Sequence, residues 1–127
     1  MTAPRLDLLT KIARWTARLA SVSAGLLLGA FLVEHLVEWV WRPTEWPPGW
    51  VLGVLALHAT LVAGLIAAVR WPLTGGAVAI LAALCFVPNF GRADVVTPLL
   101  LITIIPSAIH LVVGGIDAGR RVAERSA

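Results

Sequence analysis

Long uncharged stretches alternate with short polar connections along this chain. Four of them, residues 19–33, 46–69, 71–91 and 95–116, contain no Asp, Glu, Lys or Arg. A helix crossing about 30 Å of hydrocarbon needs about 20 apolar residues, so the pattern predicts four spans. They are placed at about residues 15–38, 50–70, 74–88 and 95–117. The first stretch holds only fifteen residues, or about 22 Å of helix, so the helix is expected to extend at both ends. Arg18 would snorkel at one edge of the hydrocarbon, with Glu34 and His35 near the opposite edge and Trp39 and Trp41 in the headgroups. Pro72 and Pro88 trim the third span. Residues 70–76, with Pro72, Gly75 and Gly76, are expected to break the helix between spans two and three, and residues 89–94 between three and four.

Ahead of the first span, Leu8, Ile12, Trp15 and Leu19 share one helical face, and Asp7, Lys11, Arg14 and Arg18 share another. Residues 5–18 therefore read as an amphipathic lead-in at the membrane surface, or as a solvated basic flank. No small-x-small cleavage pattern follows the first apolar core, and that span is expected to be retained.

Composition agrees: 59% of the 127 residues are hydrophobic and 13% charged. A soluble domain carries about 25% charged residues, so the apolar positions here must face lipid. No length remains for a second domain. With four spans, Arg5, Lys11, Arg14, Arg18, Arg70, Arg120, Arg121 and Arg125 share one side, against Arg42 and Arg92 on the other. This bias predicts that both termini are cytoplasmic. All six tryptophans fall near the expected interfaces. The net charge of +3 is accounted for by cations against anionic headgroups and requires no nucleic-acid partner. The fold class is thus all-α, an integral membrane four-helix bundle with N-in, C-in topology. The alanine-, valine- and arginine-rich usage suggests a bacterial inner membrane.

Small residues recur at helical spacing: Ser21, Gly25 and Gly29 in the first span, Gly53, Ala56, Thr60, Gly64 and Ala67 in the second, and Gly75, Ala79, Ala82 and Ala83 in the third. They are expected to be the packing faces of the bundle or, less often, a contact for another membrane protein. In the last span Thr103, Pro106, Ser107, His110, Gly114 and Asp117 lie within about 60° of one another. A polar stripe inside a bilayer should face protein or water. Pro106 leaves the Ile102 carbonyl without its usual partner, which Thr103 or Ser107 is placed to compensate. His58 points away from the small-residue stripe of its own helix. Glu34, His35 and Glu38 cluster at the outer end of the first span, where a solvated helix end is the simplest reading.

Glu34, His35, His58, Ser107, His110 and Asp117 are the candidate polar path. Structural polarity, such as a histidine bonded to a neighbouring helix, competes with a proton relay at each histidine. Histidines on three helices also suggest haem, as in bundle cytochromes. His58 and His110, however, are expected to lie about 9 Å apart along the membrane normal, too far to share one iron. No catalytic residue, cofactor or metal is expected: Cys85 is the lone cysteine, and zinc-protease, P-loop, nucleophile-elbow and dinucleotide motifs do not occur.

Arg14-Trp15 before the first span, His58 early in the second, Ala68-Val69-Arg70-Trp71 followed by Gly75-Gly76, and the final span from Pro98 to Gly115 carry a resemblance. Over most of residues 14–116 the chain resembles an uncharacterised family of small prokaryotic four-helix membrane proteins, a domain of unknown function. The resemblance implies a four-span fold and no activity. The leading expectation is a structural or accessory membrane component that is not an enzyme. A small transporter or proton-coupled permease is the rival class, and a haem- or quinone-binding redox subunit the third.

Overall fold

A computed structural model describes residues 3–43, 45–90 and 93–126, without the side chains of residues 3–6, 90, 93 and 95. Four helices follow one another: α1 (Ala3–Leu36), α2 (Gly49–Arg70), α3 (Pro72–Phe86) and α4 (Ala93–Arg125). All four regions are long and apolar enough to cross a membrane. The chain runs up, down, up, down. Each helix packs on its neighbour in sequence, and α4 closes the ring against α1. One end of the bundle carries both termini and the α2–α3 junction, and is called here the terminal end. The other, the loop end, carries the connections after α1 and α3.

α1 runs uninterrupted from Ala3, so the expected surface lead-in is the first turns of one helix. Residues 5–24 contain no glycine or proline to break it. At its far end the helix widens into a π-helical turn, Val37–Trp41, closed by Arg42 N donating to the Val37 carbonyl at 3.0 Å. The junction between α2 and α3 is tighter than the sequence suggests. Trp71 alone leaves the helix, at φ −122° and ψ 78°, and Pro72 opens α3. A residue before proline is pushed out of the α region, while proline itself suits the first turn of a helix. Gly75 and Gly76 lie inside α3, where Gly75 abuts the Ala68 backbone of α2. α3 ends in a 3₁₀ turn, Val87–Phe90, and Asn89 Nδ2 donates to the Cys85 and Phe86 carbonyls at 2.8 and 3.0 Å. Gly91 and Arg92 in the last connection, Thr44 in the first and the Arg5 side chain lie outside the described residues.

The core lies midway along the bundle, built on Leu28 of α1, Leu61 and Leu65 of α2, and Ala79, Ala83 and Phe86 of α3. Small residues bring α1, α3 and α4 to their neighbours: Gly25 faces Ile66, Gly76 the Ser107 carbonyl, and Gly114 Leu73. α2 departs from expectation. Its bulky face, with His58, Leu61 and Leu65, is buried, while Gly53, Ala56 and Thr60 of the small-residue stripe look outward. Gly64 and Ala67 are the stripe residues that pack, against Ala79 and Gly75 of α3. Burying leucines among alanines fills the interhelical space that two small faces would leave empty.

Candidate functional site

Two histidine-centred polar groups lie in the bundle, one toward each end. Nearer the loop end, His58 of α2 is 4% exposed. Its ring stacks on Phe86 at 4.6 Å between centroids and 27° between planes, and it faces the Leu28 backbone of α1. Nε2 of His58 is buried without a hydrogen-bond partner. Opposite stands His35 of α1, its ring centroid 6.3 Å away and its plane turned by 74°. His35 Nδ1 lies 2.6 Å from the Phe31 carbonyl. A carbonyl only accepts, so this nitrogen carries the proton and Nε2 of a neutral ring keeps its lone pair. Both imidazoles line a cavity of ≈ 570 Å³ to which all four helices contribute, with walls that are otherwise mainly apolar.

Toward the terminal end, His110 of α4 is 2% exposed and meets the Ala17 backbone of α1, with Nε2 again lacking a hydrogen bond. It shares a pocket of ≈ 180 Å³ with Asp117, Arg14, Arg18, Arg70 and Arg121. Arg14 Nη2 donates to both carboxylate oxygens of Asp117, at 2.8 and 2.7 Å. Arg120 pairs with Asp7 at 2.8 Å. Arg18 holds its guanidinium carbon 5.5 Å from the Trp15 ring centroid, a charge beside an aromatic face.

Between the two groups lies the core. Leu61 and Leu65 are 1% and 0% exposed and occupy the turns of α2 below His58, while Ser21 of α1 and Thr103 and Ser107 of α4 are buried in the same stretch, the Ser21 hydroxyl without a hydrogen-bond partner. Ala68, which lines the lower pocket, follows His58 by ten residues, about 15 Å along a helix.

A family model described as a domain of unknown function, DUF7670, matches residues 7–122. The chain belongs to the DUF7670 family. No curated protein matches it, and no solved structure does. The DUF7670 match encloses both polar groups, from Asp7 through Arg120.

Within this DUF7670 fold the six sequence candidates divide. His35 and His58 meet at the loop-end cavity, and His110 and Asp117 at the terminal-end pocket. Glu34 is exposed and lines neither. Ser107 is buried, but its hydroxyl donates to the Thr103 carbonyl at 2.7 Å. Thr103 Oγ1 in turn donates to the Leu99 and Leu100 carbonyls at 2.8 and 3.1 Å. Neither of these bonds reaches the Ile102 carbonyl, so the expected compensation at Pro106 is not made by these hydroxyls. Sequence reasoning compared His58 with His110; the structure pairs His58 with His35. Phe86 was missed as its stacking partner, since an aromatic in a uniformly apolar span carries no signal of its own. The helical path of α1 continues past His35 through the π-helical turn to Trp41, and His35 stands beside His58 of α2.

Proposed function

We propose that the protein is a multi-pass component of a bacterial inner membrane, with both termini cytoplasmic, acting as a structural or accessory subunit with neither catalytic nor transport activity. The observation supporting this reading is how the stretch between the two polar groups is filled: Leu61 and Leu65 are buried there, and the buried hydroxyls of Thr103 and Ser107 are spent on carbonyls of their own helix. A proton relay needs donors and acceptors in hydrogen-bond reach of one another, and moving charge through such a stretch costs several kcal/mol. His110 and the Arg14–Asp117 pair instead tie α4 to α1. The cation bias, eight Lys and Arg on the terminal-end side against two on the other, supports the orientation. The outward face of Gly53, Ala56 and Thr60 offers a close-packing surface for a helix of another membrane protein.

Reconstitution into vesicles containing a pH-sensitive dye tests this reading. Acidification under an imposed gradient should match that of empty vesicles. Proton flux that disappears in His110→Ala or Asp117→Asn would replace the accessory reading with the permease.

A further inference from the structure

The loop-end cavity has features that packing alone does not require. Its walls are supplied by Leu28, Phe31, Leu55, Phe86, Leu99 and Ile102, together with the two histidines and the exposed Asp94. At ≈ 570 Å³ it falls within the range of small-molecule and cofactor sites, about 300–1,000 Å³. An apolar cavity accommodating only lipid chains has no use for an imidazole nitrogen, and a buried polar atom left unpaired costs about 1–3 kcal/mol. Yet Nε2 of His58 is buried there and makes no hydrogen bond.

The relation between the two rings narrows the occupant. A metal–imidazole bond is about 2.0–2.1 Å, and a ring nitrogen lies about 1.1 Å from its ring centre, given C–N bonds of about 1.33 Å. Two imidazoles sharing one metal from opposite sides therefore place their centroids about 6.2–6.4 Å apart. The observed separation is 6.3 Å. Among the described residues no group of three His, Cys, Asp or Glu side chains is placed to hold a metal ion, so a bare cation would find only two ligands. A porphyrin supplies four in-plane nitrogens to its iron and leaves two axial positions, the number that two histidines fill. The hydrogen bond from His35 Nδ1 to the Phe31 carbonyl is the outer contact that orients a ligating imidazole and raises the basicity of its other nitrogen.

We propose that this cavity binds an iron porphyrin between His35 and His58, with the macrocycle held in the apolar walls and each imidazole supplying one axial nitrogen. This site goes beyond the accessory role and does not depend on it. Two histidine ligands leave the iron no open position, so the group would be held as a six-coordinate centre.

The test is optical. The full chain, purified in mild detergent, is titrated with hemin, and spectra are taken before and after reduction with dithionite. A saturable one-to-one complex with a sharp Soret band and, when reduced, resolved α and β bands is expected. His35→Ala and His58→Ala should each abolish the low-spin spectrum and weaken hemin binding by about 10-fold or more. His110→Ala should leave both unchanged. If an alanine variant does not fold by circular dichroism, His35→Met or His58→Met replaces it. A methionine ligand keeps the iron six-coordinate and raises its reduction potential. Hemin that partitions into micelles without saturation overturns the proposal. So does a low-spin spectrum that survives both single alanine substitutions, one lost in His110→Ala, or a potential unmoved in the methionine variants.

Discussion

Arg14 and Asp117, 103 residues apart in sequence, meet with one guanidinium nitrogen 2.7 and 2.8 Å from the two carboxylate oxygens. The pair is partly exposed, at 35% and 28% for the two side chains, so solvent screens much of its Coulomb energy. Asp117→Asn should lower stability by about 1 kcal/mol, and Asp7→Asn, at the more exposed contact with Arg120, by less than about 0.5 kcal/mol. Thermal unfolding in detergent, followed by circular dichroism, reads both. An Asp7 variant that costs more than the Asp117 one would contradict this ordering.

Two glycines of α2 provide a matched comparison. A Cβ at Gly64 would lie 2.7 Å from the Ala79 nitrogen, whereas one at Gly53 would meet nothing within 4 Å. Gly64→Ala is expected to cost about 1–3 kcal/mol through overpacking. Gly53→Ala should be neutral or stabilising by up to about 1 kcal/mol through helix propensity. Equal effects in an SDS unfolding titration would show that α2 and α3 do not approach as described.

The sequence reveals the fold more readily than the site, and particular residues show why. Spans are legible because excluding charge over twenty residues is a one-dimensional signal. The inward turn of α4 is legible too, since Thr103, Ser107 and His110 sit on one helical stripe and all three are buried. The meeting of His35 with His58 depends on where α1 ends relative to α2. The uncharged stretch ends at Val33, and nothing in Val37–Trp41 announces that the helix runs on as a π-helical turn. The inward face of α2 was misjudged for a related reason. The stripe of small residues runs the length of α2, but α3 meets it only at Gly64 and Ala67, and the outward half carries the same sequence signature.

His110 separates structure from transport. Buried against the Ala17 backbone, it should cost about 2 kcal/mol when replaced by alanine, since a cavity and a lost polar contact between α1 and α4 remain. A variant of full stability with altered vesicle acidification would indicate a relay.

Orientation is tested by labelling. In a Cys85→Ala background, Glu45→Cys at the loop end should react with a membrane-impermeant maleimide on intact cells. Ser126→Cys should react only after the membrane is opened. The reverse pattern would invert the topology and leave the cation bias unexplained.

α1 has 34 residues and α4 has 33, against 15 in α3. At 1.5 Å per residue the long pair reaches about 50 Å and α3 about 22 Å. Past the α2–α3 junction the ends of α1 and α4 therefore continue as a two-helix stalk, fastened by Arg14–Asp117 where it meets the junction and by Asp7–Arg120 beyond it. One chain thus has a buried half and an exposed one. Its buried half is indifferent to ionic strength, while the clasps on the stalk weaken as salt shortens the range of their attraction, to about 3 Å at 1 M. Concentrated salt should loosen the stalk at its clasps and leave the bundle beyond them intact.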